Sequence, residues 1–170
     1  MEIKDLPYTN KQDYPEIVIE EPNSKWAAIL QNLYAGCESE TTAVLGYIFD
    51  SYITKNKEKE IAKLFIDIAI VEMEHHSKLA DAIVKLGGTP YYCNSQGMAF
   101  SIKCVNQSTN LKQILLKSID AEERAIQGYQ KAKQAIDNES IQQLLNRIIE
   151  DEKLHKSSLE SVFEYISFYK

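Results

Sequence analysis

Two stretches of this chain, 57–86 and 139–168, carry the same stripe of residues 80 positions apart. Ile61, Phe65, Ile68, Leu79, Ala82 and Leu86 overlay Ile141, Leu145, Ile148, Leu159, Val162 and Ile166, in steps that alternate 4 and 3 once positions 72 and 75, and 152 and 155, are counted between them. That spacing is the seam of a helix facing a bundle. In both stretches the two central seam positions are polar: Glu72 and His75 in the first, Glu152 and His155 in the second. Such a chain must fold so that two long helices each bury a carboxylate and an imidazole.

A second pair of segments repeats the lesson with an offset of 82: Leu33, Cys37, Glu40, Val44 and Tyr47 overlay Leu115, Ile119, Glu122, Ile126 and Tyr129. The shared pattern ExxA[VI]xGY selects Glu122 over its neighbour Glu123, which falls about 100° around the helix and faces water. Gly46 and Gly128 recur at one repeat position, where each costs a helix about 1 kcal/mol relative to alanine, which suggests close packing.

Pro7, Pro15 and Pro22 lie in the first 24 residues and Pro90 follows Leu86-Gly87-Gly88-Thr89, leaving the rest free to be helical. The periodicity predicts four helices, at about 25–55, 57–86, 110–136 and 139–168. Asn23 or Ser24, Asn56 and Asn138 stand where caps are wanted, and the Gly-Gly-Thr-Pro run combines a left-handed stop with a proline just beyond. The first-to-second and third-to-fourth connections are short enough for antiparallel hairpins. The stretch between the second and third helices can run the roughly 45 Å length of a 30-residue helix, so it reads as a crossover. The expected fold is all-α, a four-helix bundle of the ferritin-like connectivity with an internal two-helix repeat. Residues 1–24 are expected to form an extension without regular structure, and 25–170 the single domain.

At mid-bundle this arrangement collects Glu40, Glu72, Glu122 and Glu152 with His75 and His155. Four like charges in a low-dielectric interior repel one another, and protonation would still leave donors and acceptors to satisfy. Two divalent cations balance four carboxylates with neutral imidazoles. A single ExxH recurs by chance in many helices; two in register, with two register-matched glutamates, form the di-metal carboxylate pattern. Tyr47 and Tyr129, two turns beyond Glu40 and Glu122, could each donate a hydrogen bond to a ligand carboxylate and are the candidate catalytic side chains. His76 lies off the seam and is expected at the surface.

With Tyr34–Tyr47 ("YAGCESETTAVLGY"), Val71–Leu79 ("VEMEHHSKL"), Leu86–Pro90 and Ala121–Tyr129 ("AEERAIQGY") in view, the sequence resembles the rubrerythrin and bacterioferritin branch of the ferritin-like superfamily over 25–168. The resemblance implies Glu40 and His75 as terminal ligands of one metal, Glu122 and His155 of the other, and Glu72 and Glu152 as bridges. In similar proteins an Asp immediately before the bridging Glu orients a ligand histidine through its second nitrogen, which implies that role for Asp151, while Val71 in the equivalent place cannot give it. It implies two iron ions, with manganese the alternative, and oxygen or hydrogen peroxide as substrate. Two departures stand out. Rubrerythrins place a further Glu three residues after the first on the third helix, where this chain has Ala125, and they usually carry paired CxxC motifs, which this sequence lacks. Manganese catalases use fewer carboxylates than are present here, so peroxide dismutation is the runner-up.

The balance of 19 basic against 25 acidic residues gives a net charge of -6, the wrong sign for a nucleic-acid backbone or an anionic membrane. No run reaches the roughly 18 apolar residues of a membrane span. Cys37, Cys93 and Cys104 form an odd set without CxxC spacing, so neither a disulfide framework nor a metal knuckle is expected, Cys37 reads as a small hydrophobe, and a cytoplasmic location fits. A homo-oligomer, a dimer, and an unknown electron donor complete the expectation of a di-metal oxidoreductase. Iron storage and a purely structural metal-binding bundle are the other classes.

Overall fold

The computed structural model describes residues 2–168. Five α-helices follow in order: α1 (Ser24–Ala35), α2 (Glu40–Thr54), α3 (Lys59–Lys85), α4 (Leu111–Ala135) and α5 (Glu139–Phe168). Two 3-10 turns, Ile3–Asp5 and Ile102–Cys104, lie in the N-terminal segment and the crossover. α4 packs along α5, and α3 along both α1 and α2, so α1 and α2 together form the first rod of a four-rod all-α bundle.

The expected helix 25–55 is therefore broken, and the reason is local. The chain leaves the helix at Gly36, where a Cβ would sit 2.4 Å from the Asn32 carbonyl oxygen. It restarts at Ser39, whose hydroxyl accepts from the Thr42 amide as the cap of α2. The break places Glu40 on the first turn of a helix. Elsewhere Asn23, Asn110 and Asn138 cap as side-chain acceptors. Asn56 does not cap; Glu58 holds that position for α3. Gly87 takes φ 81°, the left-handed stop after α3.

Every seam position of α3 and α5 is buried, with Phe65, Ile68, Leu79, Ile141, Leu145, Ile148 and Leu159 at 0% exposure. The core falls into two apolar clusters. Leu30, Tyr34, Leu79, Leu86, Ile141 and Ile148 belong to one, and Phe65, Ile68, Ile114, Leu115, Leu159 and Val162 to the other. The Glu and His positions of the seam fall between them along α3 and α5, so the polar layer is sealed at both ends by aliphatic packing. The N-terminal segment lies on the bundle, with Ile17 in the first cluster and Ile3 in the second. Among the described residues no helix is long and apolar enough to cross a membrane.

Candidate metal centre

The four glutamates and two histidines singled out in the sequence converge. Glu40, Glu72, His75 and Glu152 each offer one donor atom within 4.8 Å of the others, and Glu72, Glu122, Glu152 and His155 do the same. Glu72 and Glu152 belong to both groups, as the central seam positions of the two longest helices must. All six are buried, Glu72 and Glu152 at 1% and the imidazoles at 0% exposure. His75 Nδ1 lies 3.0 Å from Glu72 and 3.1 Å from Glu152, and His155 Nδ1 lies 3.2 Å from Glu72 and 3.4 Å from Glu152.

Charge chemistry in this layer is severe. Burial pushes Glu40 and Glu122 well above the usual carboxylate range, and the neighbouring glutamates add to the shift. Burial also opposes ionisation of Glu72 and Glu152, but contacts with the two imidazoles hold Glu72 below the ordinary value, and a hydrogen bond with Glu122 together with the imidazoles does the same for Glu152. The imidazoles move the other way. Burial disfavours their charge, yet the surrounding carboxylates raise His75 and lift His155 to about 9. Protons and cations compete for the same lone pairs here.

Several of these atoms make no hydrogen bond of good geometry and meet their neighbours only at ion-pair distance: Glu40 Oε2, Glu72 Oε1, Glu152 Oε1 and His155 Nδ1. Unpaired, buried acceptors cost about 1–3 kcal/mol each, more when charged. Oxygen and imidazole donors in two overlapping sets are what a pair of Fe²⁺ or Mn²⁺ ions takes, so the residues fit such a pair.

Around the donors sits a supporting shell. Tyr47 donates its hydroxyl to Glu122 Oε1, and Tyr129 donates to Glu40 Oε1, so each tyrosine reaches across to the carboxylate of the other repeat. Asp151 is buried at 0% exposure rather than on the helix surface where aspartates are commonest. Its Oδ2 accepts from His75 Nε2 at 3.1 Å and from the Tyr14 hydroxyl at 2.7 Å, its Oδ1 from the Asn10 amide at 2.6 Å, and Arg147 Nη1 lies 2.6 Å away. Burial works against the Asp151 charge, but these partners hold it down to about 2. The support is one-sided, for His155 Nε2 has no partner. Tyr14, Asn10 and Arg147 were not legible as site residues: they come from 137 or more residues away in sequence or from an unremarkable helix face.

A cavity of about 400 Å³ opens between α2 and α4 and is walled by Glu40, Glu72, Glu122 and Glu152 together with Tyr47, Tyr129 and small residues. Gly46 lines it, and a Cβ there would meet nothing within 4 Å. The expected close packing at Gly46 is thus replaced by open space; Gly128, whose Cβ would sit 3.4 Å from Leu33, is the snug one. Leu33, which also lines the cavity, is accordingly only partly buried.

Two further expectations are corrected. Cys37 and Cys104 form a disulfide, with Cα atoms 5.2 Å apart, because the crossover passes the α1–α2 break; Cys93 is free. Cys37 is therefore an exposed half-cystine and not a packed hydrophobe. His76 is half-buried between Tyr34, 4.1 Å away between ring centroids, and Tyr92 at 5.9 Å, because the crossover folds back over α3.

Asp50 also lines the cavity, 3% exposed, with Oδ1 unpartnered and burial pushing its carboxyl up to about 7. Unfolded, an aspartate titrates near about 3.9. As pH rises from there to about 7 the unfolded chain releases its proton first, so stability falls across that window and the cost is complete above it. Asp50→Asn is expected to exceed the wild type by about 2 kcal/mol at pH 8 and to match it at pH 3, allowing for water in the cavity. Urea unfolding at the two pH values checks this.

Comparison with known proteins agrees with the geometry. A Clostridium acetobutylicum protein whose name reads "Probable manganese catalase" is 22% identical over 163 residues, covering 84% of this chain and 72% of its own. Among solved structures, KatB, a manganese catalase from Anabaena, superposes with a TM-score of 0.85 at 22% identity, over 94% of this chain and 80% of that one. The bacterioferritin of Desulfovibrio desulfuricans, described as having a diiron site, gives 0.75 at 23% identity, over 86% and 82%. The profile of the rubrerythrin family matches residues 31–163. This chain, with its ferritin-like bundle and its mid-bundle layer of glutamates and histidines, belongs to the rubrerythrin family.

Proposed function

We propose that this chain is a di-metal oxidoreductase whose substrate is peroxide, reduced to water at a pair of iron ions, with oxygen-driven oxidation of ferrous iron as the related use of the same centre. One observation carries the reading: buried, unpartnered carboxylate oxygens of Glu40, Glu72 and Glu152 lie in the wall of a cavity large enough for a small oxidant. Glu40 and His75 would hold one ion, Glu122 and His155 the other, and Glu72 and Glu152 would bridge. When bound, the pair supplies electrons in twos and Lewis acidity toward an O–O bond.

The chain's own residues do the rest. Tyr129 and Tyr47 fix Glu40 and Glu122 through their hydroxyls. Burial keeps both phenols well above their ordinary range, so at neutral pH each is a donor and holds its proton on the hydroxyl oxygen. Asp151 fixes the orientation of His75 by accepting from Nε2, which leaves Nδ1 facing the carboxylates. The two aliphatic clusters exclude water from the ends of the layer and leave the cavity between α2 and α4 as the approach.

Dismutation at a manganese pair is the second reading, favoured by the similarity to the two manganese catalases. Oxygen evolution separates the two. Protein loaded with iron or manganese and given peroxide and a reductant is expected to consume peroxide without releasing oxygen. Release of one oxygen for every two peroxides supports dismutation, and persistence of peroxide with either metal defeats both readings.

A further inference from the structure

The Cys37–Cys104 disulfide stands in the wall of the cavity that reaches the glutamates. Both half-cystines line it, on the same continuous surface as Glu40 and Glu122. The pair also faces outward: Cys37 is exposed and Cys104 half-buried. Cys37 sits in the α1–α2 break, three residues before Glu40, and Cys104 closes the 3-10 turn of the crossover. One face of this bridge therefore meets whatever enters the cavity, and another meets solvent.

We infer that Cys37 and Cys104 are a redox-active dithiol that supplies the electron pair for peroxide reduction in the adjoining cavity. This rests on the peroxide reading. In the step, the two thiols are oxidised and peroxide is reduced: an S–S bond forms, the O–O bond breaks, and the two thiol protons leave with the oxygens as two waters. The disulfide is reset by an external dithiol, protein or small molecule, which attacks the exposed Cys37 sulfur and leaves as its own disulfide. Exposed disulfides are the ones that exchange readily, whereas buried ones act as inert staples.

Two features favour this over a staple. A dithiol yields two electrons, the number peroxide takes up. Thiols within a cavity that also reaches the carboxylate cluster deliver the pair without an external donor at the peroxide step itself; the external dithiol is needed only for the reset. The remaining cysteine, Cys93, lines no part of that cavity, which makes it an internal control.

The test uses the full chain, reduced with dithiothreitol, desalted and loaded anaerobically with ferrous iron, then given two successive equivalents of hydrogen peroxide. The first equivalent can draw on the iron and tests the peroxide reading itself. The second must draw on the chain. Loss of two of the three thiols with the second equivalent, and appearance of a peptide linking Cys37 to Cys104, is the expected result. In dithiothreitol-driven turnover, Cys37→Ser and Cys104→Ser are expected to slow peroxide loss more than about tenfold, with iron content unchanged and Cys93→Ser matching the wild type.

Consumption of the second equivalent with all thiols intact overturns the inference, as does wild-type turnover by Cys37→Ser and Cys104→Ser, even where they unfold more easily. If those variants do not fold, the thiol count on the wild type still decides. Equal oxidation of the pair in metal-free protein also overturns it, since that is simple surface thiol chemistry. Failure at the first equivalent defeats the peroxide reading and with it this inference; failure at the second alone leaves that reading standing.

Discussion

Glu72→Ala is expected to lose both ions, with affinity falling more than about 100-fold at each position, beyond the usual cost of altering a supporting residue. Glu72 contributes to both donor groups, and its two oxygens lie 3.0 Å from His75 and 3.2 Å from His155. Glu40→Ala touches one group only and should leave the other ion in place. Metal content after dialysis against a weak chelator distinguishes the two variants. The metal-free Glu72→Ala protein should remain folded, since removing one of four crowded carboxylates relieves repulsion. Wild-type protein, in contrast, should gain about 2.7 kcal/mol when free metal reaches 100 times its dissociation constant, and Glu72→Ala should gain little. Retention of two ions by Glu72→Ala would mean that the shared position does not bridge.

Asp151→Ala is expected to cost about 3–5 kcal/mol, the range for breaking a buried ion pair by removing one partner. Arg147, at 6% exposure, would keep its charge without its nearest carboxylate. The Asn10 amide and the Tyr14 hydroxyl would each lose an acceptor, and His75 Nε2 a third. Because Asn10 and Tyr14 belong to the N-terminal segment, that segment should loosen first. Arg147 also donates to the carbonyls of Gln12 and Asn10, and Ser158 to that of Pro7, so the strap is tied to α5 at several points. Urea unfolding with limited proteolysis near residue 10 measures both effects. A cost below about 1 kcal/mol would place Asp151 among surface ion pairs instead.

What could be read from the sequence follows from period. The heptad seams of α3 and α5 determine which faces are buried, and every seam residue named from the repeat is buried. Glu72, His75, Glu152 and His155 sit on that seam, so their convergence was legible; Glu40 and Glu122 followed from the second repeat. The α1–α2 break was hidden because the apolar spacing continues through it: Leu33, Cys37 and Glu40 keep the stripe while Gly36 and Ser39 end one helix and cap the next. Contacts made by irregular segments carry no period. The disulfide joins residues 67 apart through the path of the crossover, and the Asp151 network depends on how the N-terminal strap lies on α5. Gly46 shows the limit of a repeat: the same residue at equivalent positions packs against Leu33 at Gly128 and borders open space at Gly46.

The proposed pair of cations accounts for the buried acids of this bundle, and diffraction at the iron and manganese absorption edges tests that most directly. Crystals of protein purified from its native host should give two anomalous peaks per chain, one among Glu40, Glu72, His75 and Glu152 and one among Glu72, Glu122, Glu152 and His155. A fully folded chain with no anomalous density between these side chains, after growth with iron and manganese in supply, would contradict it.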